Sequence, residues 1–299
     1  MNILIVGNGS IGKQHVTNLI KLGIKPTVFT QYPDYKSEVH YIKSLNDIEH
    51  VDIAIICTPT FKHLNDFKMI VRKFNIKKVL IEKPIAINTS EALEIKRISI
   101  NNGIIVYVAF DMRFISKLQY VKKNIQKIIP EIRLVKIHCG QYLPEWRPNS
   151  DYRNSYSSIR EKGGGVDLDL THEIDYMLWL FGTPKNIEYI KTDKISQLDI
   201  NSPDYFKGIY KYNNFIVDVE LDYFRKLDRK MTILGENKNL VELDFIKDNL
   251  IFCNEDVKID FNNIKNTLGA ELLEFLSDDH PHYLCTLDES IEVLKMINQ

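Results

Sequence analysis

The first 110 residues alternate short β-branched runs with amphipathic stretches, and that rhythm leaves few architectures open. Asn2–Val6, Thr27–Thr30, Asp52–Cys57, Lys78–Glu82 and Ile104–Ala109 read as strands. Ile11–Leu22, His63–Lys73 and Ser90–Asn101 read as the helices between them. Strands separated by helices need right-handed crossovers, which give a parallel sheet covered on both faces. The strand runs are apolar without alternation, as a sheet with no wet face requires.

After Phe110 the rhythm changes. A helix at Ser116–Ile129 precedes a strand at Arg133–Gly140, a long irregular segment at Gln141–Gly165, and a helix at Asp169–Phe181. Strand-like runs follow at Asn186–Thr192, Phe206–Tyr212, Phe215–Phe224, Arg229–Leu234, Leu240–Phe245 and Asn249–Phe252. Turn residues such as Asn213-Asn214 and Gly235-Glu236-Asn237 separate some of them, as in an antiparallel sheet. Helices near Asn263–Leu276 and Leu287–Ile297 close the chain. The expected fold is α/β: a doubly wound parallel domain over residues 1–115, then an α+β domain over 116–299 with an open, mainly antiparallel sheet.

Composition narrows the partners. With 44% hydrophobic and 26% charged residues the chain is of ordinary globular type, and 299 residues suit two cores. A formal charge of -1 from 39 basic and 40 acidic residues argues against a nucleic-acid binder held by bulk electrostatics. No apolar run reaches the roughly 20 residues of a membrane span. The opening residues lack the basic region of a signal peptide, and the four cysteines are scattered, so a cytoplasmic location is expected. Cysteine and histidine spacing suggests no metal site, and His280-Pro281-His282 reads as a turn.

Gly7-Asn8-Gly9-Ser10-Ile11-Gly12 matches G-x-G-x-x-G between the first strand and the first helix. Such glycines serve a tight turn, a close backbone approach to pyrophosphate, and helix–strand packing. The helix N-terminus adds N–H groups and partial positive charge, so these six residues are expected to hold NAD or NADP. An NAD binder usually ends its second strand on a carboxylate for the ribose. Here Thr30 and Gln31 occupy that place, with Asp34 a late substitute and Lys36 a possible partner for a 2′-phosphate. NAD and NADP both stay open, with a lean to NADP.

Two further strand ends carry polar signals. Thr58-Pro59-Thr60 with His63 follows the third strand, and Glu82-Lys83-Pro84 ends the fourth. Carboxyl ends of parallel strands form the ligand crevice, so all seven residues are expected at the cofactor. The ordered array of three motifs resembles the glucose–fructose oxidoreductase / inositol 2-dehydrogenase (Gfo/Idh/MocA) family of NAD(P)-dependent oxidoreductases. The resemblance continues through Met112-Arg113-Phe114 and Gly163-Gly164-Gly165-Val166-Asp167-Leu168-Asp169-Leu170-Thr171-His172-Glu173-Ile174-Asp175, and so spans nearly the whole chain. It implies that Lys83 and His172 act on substrate, that Pro84 follows a cis peptide, and that Arg113 and Asp175 belong to the substrate site. It also implies a homodimer or homotetramer.

Many family members carry an aspartate four residues before the histidine, where this chain has Leu168. Asp169 is three residues before His172, on one face of the expected helix, and is the expected supporting carboxylate. Asp167 reads either as the displaced equivalent of the family's aspartate or, the favoured reading, as a solvated loop charge. Histidine is the natural base near neutrality for a hydroxyl proton, and a lysine beside the same oxygen would stabilise alkoxide character. In the long segment, Trp146, Tyr152 and Tyr156 suit stacking on sugar or base faces, while Arg147 and Arg153 suit phosphate or carboxylate. That stretch resembles members from bacterial surface-glycan biosynthesis, which implies a sugar or nucleotide-sugar substrate. The reading is therefore an oxidoreductase; a glycosidase using transient oxidation and a non-catalytic dinucleotide-binding regulator are the alternatives.

Overall fold

A computed structural model describes residues 1–34, 38–253, 255–256, 266–277 and 281–297. The expectations placed on Lys36, on 263–265 and on His280 lie outside the described residues. The chain divides into two units: Met1–Phe114 with Lys265–Ile291, and Ile115–Ile264 with Glu292–Gln299. A single cut near residue 115 therefore misses a return of the chain to the first unit.

The first unit contains β1 (Ile3–Val6), α1 (Ser10–Lys21), β2 (Thr27–Phe29), β3 (His40–Ile42), β4 (Ile53–Ile56), α2 (His63–Lys73), β5 (Lys78–Glu82), α3 (Thr89–Asn102) and β6 (Ile105–Ala109). The second unit contributes α4 (Ser116–Ile128), β7 (Ile132–Gly140), α5 (Val166–Asp169), α6 (His172–Phe181) and β8 (Asn186–Asp193). It continues with β9 (Tyr205–Lys211), β10 (Ile216–Asp222), β11 (Asp228–Gly235), β12 (Leu240–Asp244), β13 (Asn249–Phe252) and β14 (Glu255–Asp256). Then α7 (Thr267–Leu276), β15 (Cys285–Thr286) and the start of α8 (Leu287–Ile297) rejoin the first unit.

The first sheet has the order β15-β6-β5-β4-β1-β2-β3, parallel except for the antiparallel edge strand β15. Every residue of β1 and β4 is buried, which explains why neither strand alternates. In register, Ile5 faces Ile55 and Ile55 faces Leu80, so one apolar layer runs through the centre of the sheet. Each such side chain contributes roughly 1.5–3 kcal/mol by leaving water. Helix α3 begins where the Asn88 side chain accepts from the Glu91 N–H and stops at Gly103, whose φ of 64° continues no helix. The edge strands β3 and β15 were not anticipated, being three and two residues long. Such runs are too short to carry a period.

The second sheet has the order β14-β13-β12-β11-β7-β10-β9-β8. It is mainly antiparallel, as expected, but β7 lies at its centre and pairs in parallel with β10. Opposite that pair it runs antiparallel to β11. Helix α5 packs on β9 and β10, and α6 on β7.

Candidate active site

The Gly7–Gly12 turn folds as the spacing predicts. Gly7 has φ of 102°, and a Cβ there would press on the Cys57 carbonyl at 3.1 Å. A Cβ on Gly12 would lie 2.4 Å from the Gly7 oxygen, so glycine alone lets α1 start this close to the strand end. At Gly9 the outcome is opposite: a Cβ would meet nothing within 4 Å. Gly9 occupies the N-cap of α1 without a side-chain cap, and no acidic residue sits in the first turn. Backbone N–H groups and helix dipole therefore face open space, which is the chemistry of a phosphate cradle.

That space belongs to a cavity of about 370 Å³. Its walls come from three strand ends: Val6 to Gly9 after β1, Phe29 to Tyr32 after β2, and Cys57 to Pro59 after β4, with Lys62 and Asp66. Thr30 and Gln31 line it as expected, and no carboxylate of the second strand end joins them. Asp34 pairs with Lys13 at 2.9 Å. The Gln31 amide donates to the Lys43 carbonyl at 3.2 Å, and Asn8 donates to the Tyr32 carbonyl at 3.2 Å, fixing the turn against the second strand end. Sequence reading missed Tyr32, Lys62 and Asp66. Asp66 accepts from the Thr58 hydroxyl at 2.6 Å, and burial raises its pKa against the pull of that bond.

Three expected cofactor contacts require correction. His63 is fully buried; its Nε2 lies 2.8 Å from the Thr58 carbonyl, and its Nδ1 lies 3.1 and 3.2 Å from the Pro84 and Ile85 carbonyls. It ties two strand ends together and does not line the cavity. Burial holds its pKa below the ordinary value, against the opposite pull of the Thr58 and Ile85 carbonyls. Glu82 is likewise turned inward and bonds His15 Nε2 at 2.8 Å. Thr60, 4% exposed, is covered as the first residue of a 3₁₀ turn. The Lys83–Pro84 peptide is cis, as the family resemblance implies, and Lys83 is half-buried between these anchored neighbours. Among the described residues, the trio His15, Cys57 and Glu82 brings potential ligand atoms within 4.8 Å of one another, although its histidine and glutamate are already hydrogen-bonded.

The second unit departs more from expectation. The helix expected from Asp169 onward is two helices: α5 ends at Asp169, and Leu170 leaves helical geometry at φ -100°, ψ 41°. Asp169 and His172 therefore do not share one helix face, and His172 stands half-buried as the first residue of α6. Asp169 is buried and accepts from the Tyr223 hydroxyl at 2.5 Å. Tyr156 also bonds it, and the Asp169 charge with burial drives the Tyr156 pKa far up, so both phenols stay protonated donors. Asp167 is no solvated charge: it is 1% exposed and pairs with Arg160 at 2.8 Å. Burial nonetheless raises its pKa, the guanidinium acting in the other direction. Gly164 is needed because a Cβ there would lie 2.3 Å from the Tyr156 carbonyl.

The expected substrate residues separate into three groups. Arg113 and Asp175 are buried, and Arg113 Nη1 donates to both Glu289 oxygens at 3.2 Å. Arg153 is tied to Asp151 at 2.8 Å, and the Tyr152 hydroxyl accepts from the Asp199 N–H at 3.3 Å. Trp146 packs edge-on against Tyr223 at 5.4 Å, and Arg147, exposed, lies 5.8 Å over the Tyr156 ring. The irregular segment is thus a series of 3₁₀ turns anchored through its aromatic rings. Sequence reading also missed Arg229, which pairs with the fully buried Glu173 at 2.9 Å beside His172. An arginine in a half-buried strand carries no signal of its distant partner.

Comparison with known proteins bears on both units. The model of the Gfo/Idh/MocA oxidoreductase family's NAD-binding Rossmann fold matches residues 1–110, and that of the family's C-terminal domain matches 119–241. The uncharacterized oxidoreductase YrbE of Bacillus subtilis is 30% identical over 205 residues, 62% of this chain and 55% of that protein. The 2,7-anhydro-N-acetylneuraminate hydratase of Escherichia coli is 29% identical over 133 residues, 44% of this chain and 34% of that protein. The chain thus spans about half or less of the length of these two curated relatives. The WlbA dehydrogenase of Bordetella pertussis, crystallised with NADH and UDP-GlcNAcA, superposes with a TM-score of 0.79 at 18% identity, covering 98% of this chain and 93% of that one. At that identity the likeness is one of fold.

Proposed function

Since the chain belongs to the Gfo/Idh/MocA family of NAD(P)-binding oxidoreductases, we propose that it moves a hydride between a secondary hydroxyl of a sugar or nucleotide-linked sugar and a nicotinamide cofactor. The observation that carries this reading is the open space at Gly9, set in a cavity bounded by three strand ends. A bound nicotinamide supplies the hydride acceptor or donor. The Gly7–Gly12 backbone would hold its pyrophosphate, and Thr30 and Gln31 would meet its adenosine ribose. Without a carboxylate there, a 2′-phosphate meets no repulsion, which supports a lean to NADP.

Lys83 and His172 carry the chemistry in this reading. His172 takes the hydroxyl proton, and the Lys83 ammonium stabilises charge on the substrate oxygen. Asp169, its carboxylate held by two phenols, positions the segment that leads into His172. Arg147 and Trp146 are the substrate contacts that the loop leaves best placed. The UDP-GlcNAcA bound to WlbA supports a nucleotide-sugar substrate, and a role in bacterial surface-glycan synthesis follows in this reading from the resemblance of the 142–156 segment. Cytoplasmic location and a homodimer or homotetramer belong to the same reading; among the described residues, no helix is long and apolar enough to cross a membrane.

One relative favours a second reading. The E. coli protein is named a hydratase, which is compatible with a nicotinamide that is reduced and reoxidised within one turnover. Both readings are tested by a thermal-shift screen of nucleotide sugars with NAD and NADP, followed by turnover of the hits. Net release of reduced nicotinamide supports the dehydrogenase, and product without it supports the second reading. No stabilisation by either dinucleotide would overturn both.

A further inference from the structure

We propose that His15 is a positioning residue for Lys83, acting through Glu82. This rests on the reading that Lys83 acts on substrate. His15 is fully buried on α1, the helix that begins at the phosphate cradle, and its Nε2 lies 2.8 Å from Glu82 Oε1. Its Nδ1 is buried and has no hydrogen-bond partner among the described residues. A buried donor left unpaired costs more than a bare acceptor, so the proton belongs on Nε2, which donates to Glu82. Glu82 has a side-chain exposure of 12%, so little water can replace that donor.

Glu82 is the last residue of β5, immediately before Lys83. On the other side, Pro84 and Ile85 present their carbonyls to His63 Nδ1 at 3.1 and 3.2 Å. The lysine is thus bracketed by two buried imidazoles, one from α1 and one from α2. Each helix starts at a strand end that lines the cavity. The His15–Glu82 bond therefore links the element that grips pyrophosphate to the backbone that carries the lysine. Remove the donor, and the Glu82 carboxylate must seek water or another partner, turning the end of β5 with it.

The test uses the full chain with its lysines reductively methylated with carbon-13 and NADP added, and reads the Lys83 dimethylamino NMR signal, assigned by its loss in Lys83→Arg. In the natural protein that signal is expected outside the envelope of exposed lysines. His15→Leu, which has no donor, and His15→Asn, whose shorter amide stops near the Nδ1 position and falls short of Glu82, should move it into the envelope. His15→Gln, whose amide can still donate, should leave it in place. Leu19→Ala, in the same helix and buried, lowers thermal stability without touching Glu82 and should leave the signal unmoved. NADPH affinity should change less than about threefold across the folded His15 variants, because the Gly7–Gly12 turn is untouched. With a substrate from the screen, His15→Leu and His15→Asn should lower kcat at least tenfold at unchanged cofactor KM, and His15→Gln should restore most of it.

A Lys83 signal within the envelope in the natural protein overturns the proposal. So does a signal unmoved in His15→Asn, or one moved equally by Leu19→Ala. Failure of the dinucleotide to bind, or of any sugar to turn over, would count against the proposed function and leave this readout standing, since the lysine signal can be measured without either ligand.

Discussion

The strand ends of the first unit and the segment from Gln141 to His172 of the second are built on different principles. In the first, backbone geometry sets the strand ends: glycines that allow close approach and strands in parallel register. In the second, side-chain pairs hold the segment: Tyr223 and Tyr156 on Asp169, Arg160 on Asp167, Arg229 on Glu173. A motif written in backbone requirements can be read along the sequence. A network of side chains distant in sequence cannot.

The largest expected effect breaks both regions at once. Lys83→Ala and His172→Ala should each lower kcat by about 10²–10⁴, roughly 3–5.5 kcal/mol of transition-state stabilisation, with cofactor affinity little changed. The double variant should be far less impaired than the product of the two effects, as for groups serving one step. Steady-state kinetics on a hit from the screen decides this; near-normal kcat in either variant would place the chemistry elsewhere.

Next in size is the side-chain network. Tyr223→Phe removes one donor from the buried Asp169 and should cost about 1–3 kcal/mol, read by urea denaturation. A loss below about 0.5 kcal/mol would mean that Asp169 does not depend on this bond. It would also remove the contrast drawn between the two regions.

His63 gives the first unit a pH signature. Burial holds its folded pKa below the ordinary 6.5, so as pH falls the unfolded chain takes up the proton first. Stability from this group is present above about pH 6.5 and is lost below it, with a slope of up to about 1.4 kcal/mol per pH unit. The curve for His63→Gln should be flatter between pH 7 and 5 by that contribution. Identical slopes in the two proteins would show that His63 is not held neutral by burial.

The smallest effect concerns cofactor choice. Gln31→Asp adds a ribose acceptor and repels a 2′-phosphate, so the ratio of NAD to NADP affinity should rise about tenfold, by roughly 1.4 kcal/mol. An unchanged ratio would mean that Gln31 does not face the ribose.

Much of the first unit was legible because its constraints are local. Runs such as Ile53–Ile56 are apolar throughout, and Gly7 and Gly12 mark where only glycine fits, while Gly9 borders open space. The inward turn of His63 and Glu82 was not legible, since a polar residue at a strand end reads the same whether it faces the crevice or a buried partner. In the second unit, the sequence pattern runs unbroken through Leu170, where the backbone leaves the helix and separates Asp169 from His172. Arg113 and Arg153 look like anion binders until Glu289 and Asp151 are found beside them. The return of α7 and β15 to the first unit also escaped reading, because a two-residue edge strand leaves no periodic trace.

The most direct test of the cradle is calorimetric titration of NAD and NADP into the natural protein and Gly9→Val, with thermal unfolding of each measured alongside. A Cβ at Gly9 meets nothing within 4 Å among the described residues, so the variant should keep its fold and melt close to the natural protein. The added side chain would occupy the space assigned to pyrophosphate, so dinucleotide binding should be lost. A folded Gly9→Val protein that binds NAD or NADP with unchanged affinity would contradict the account.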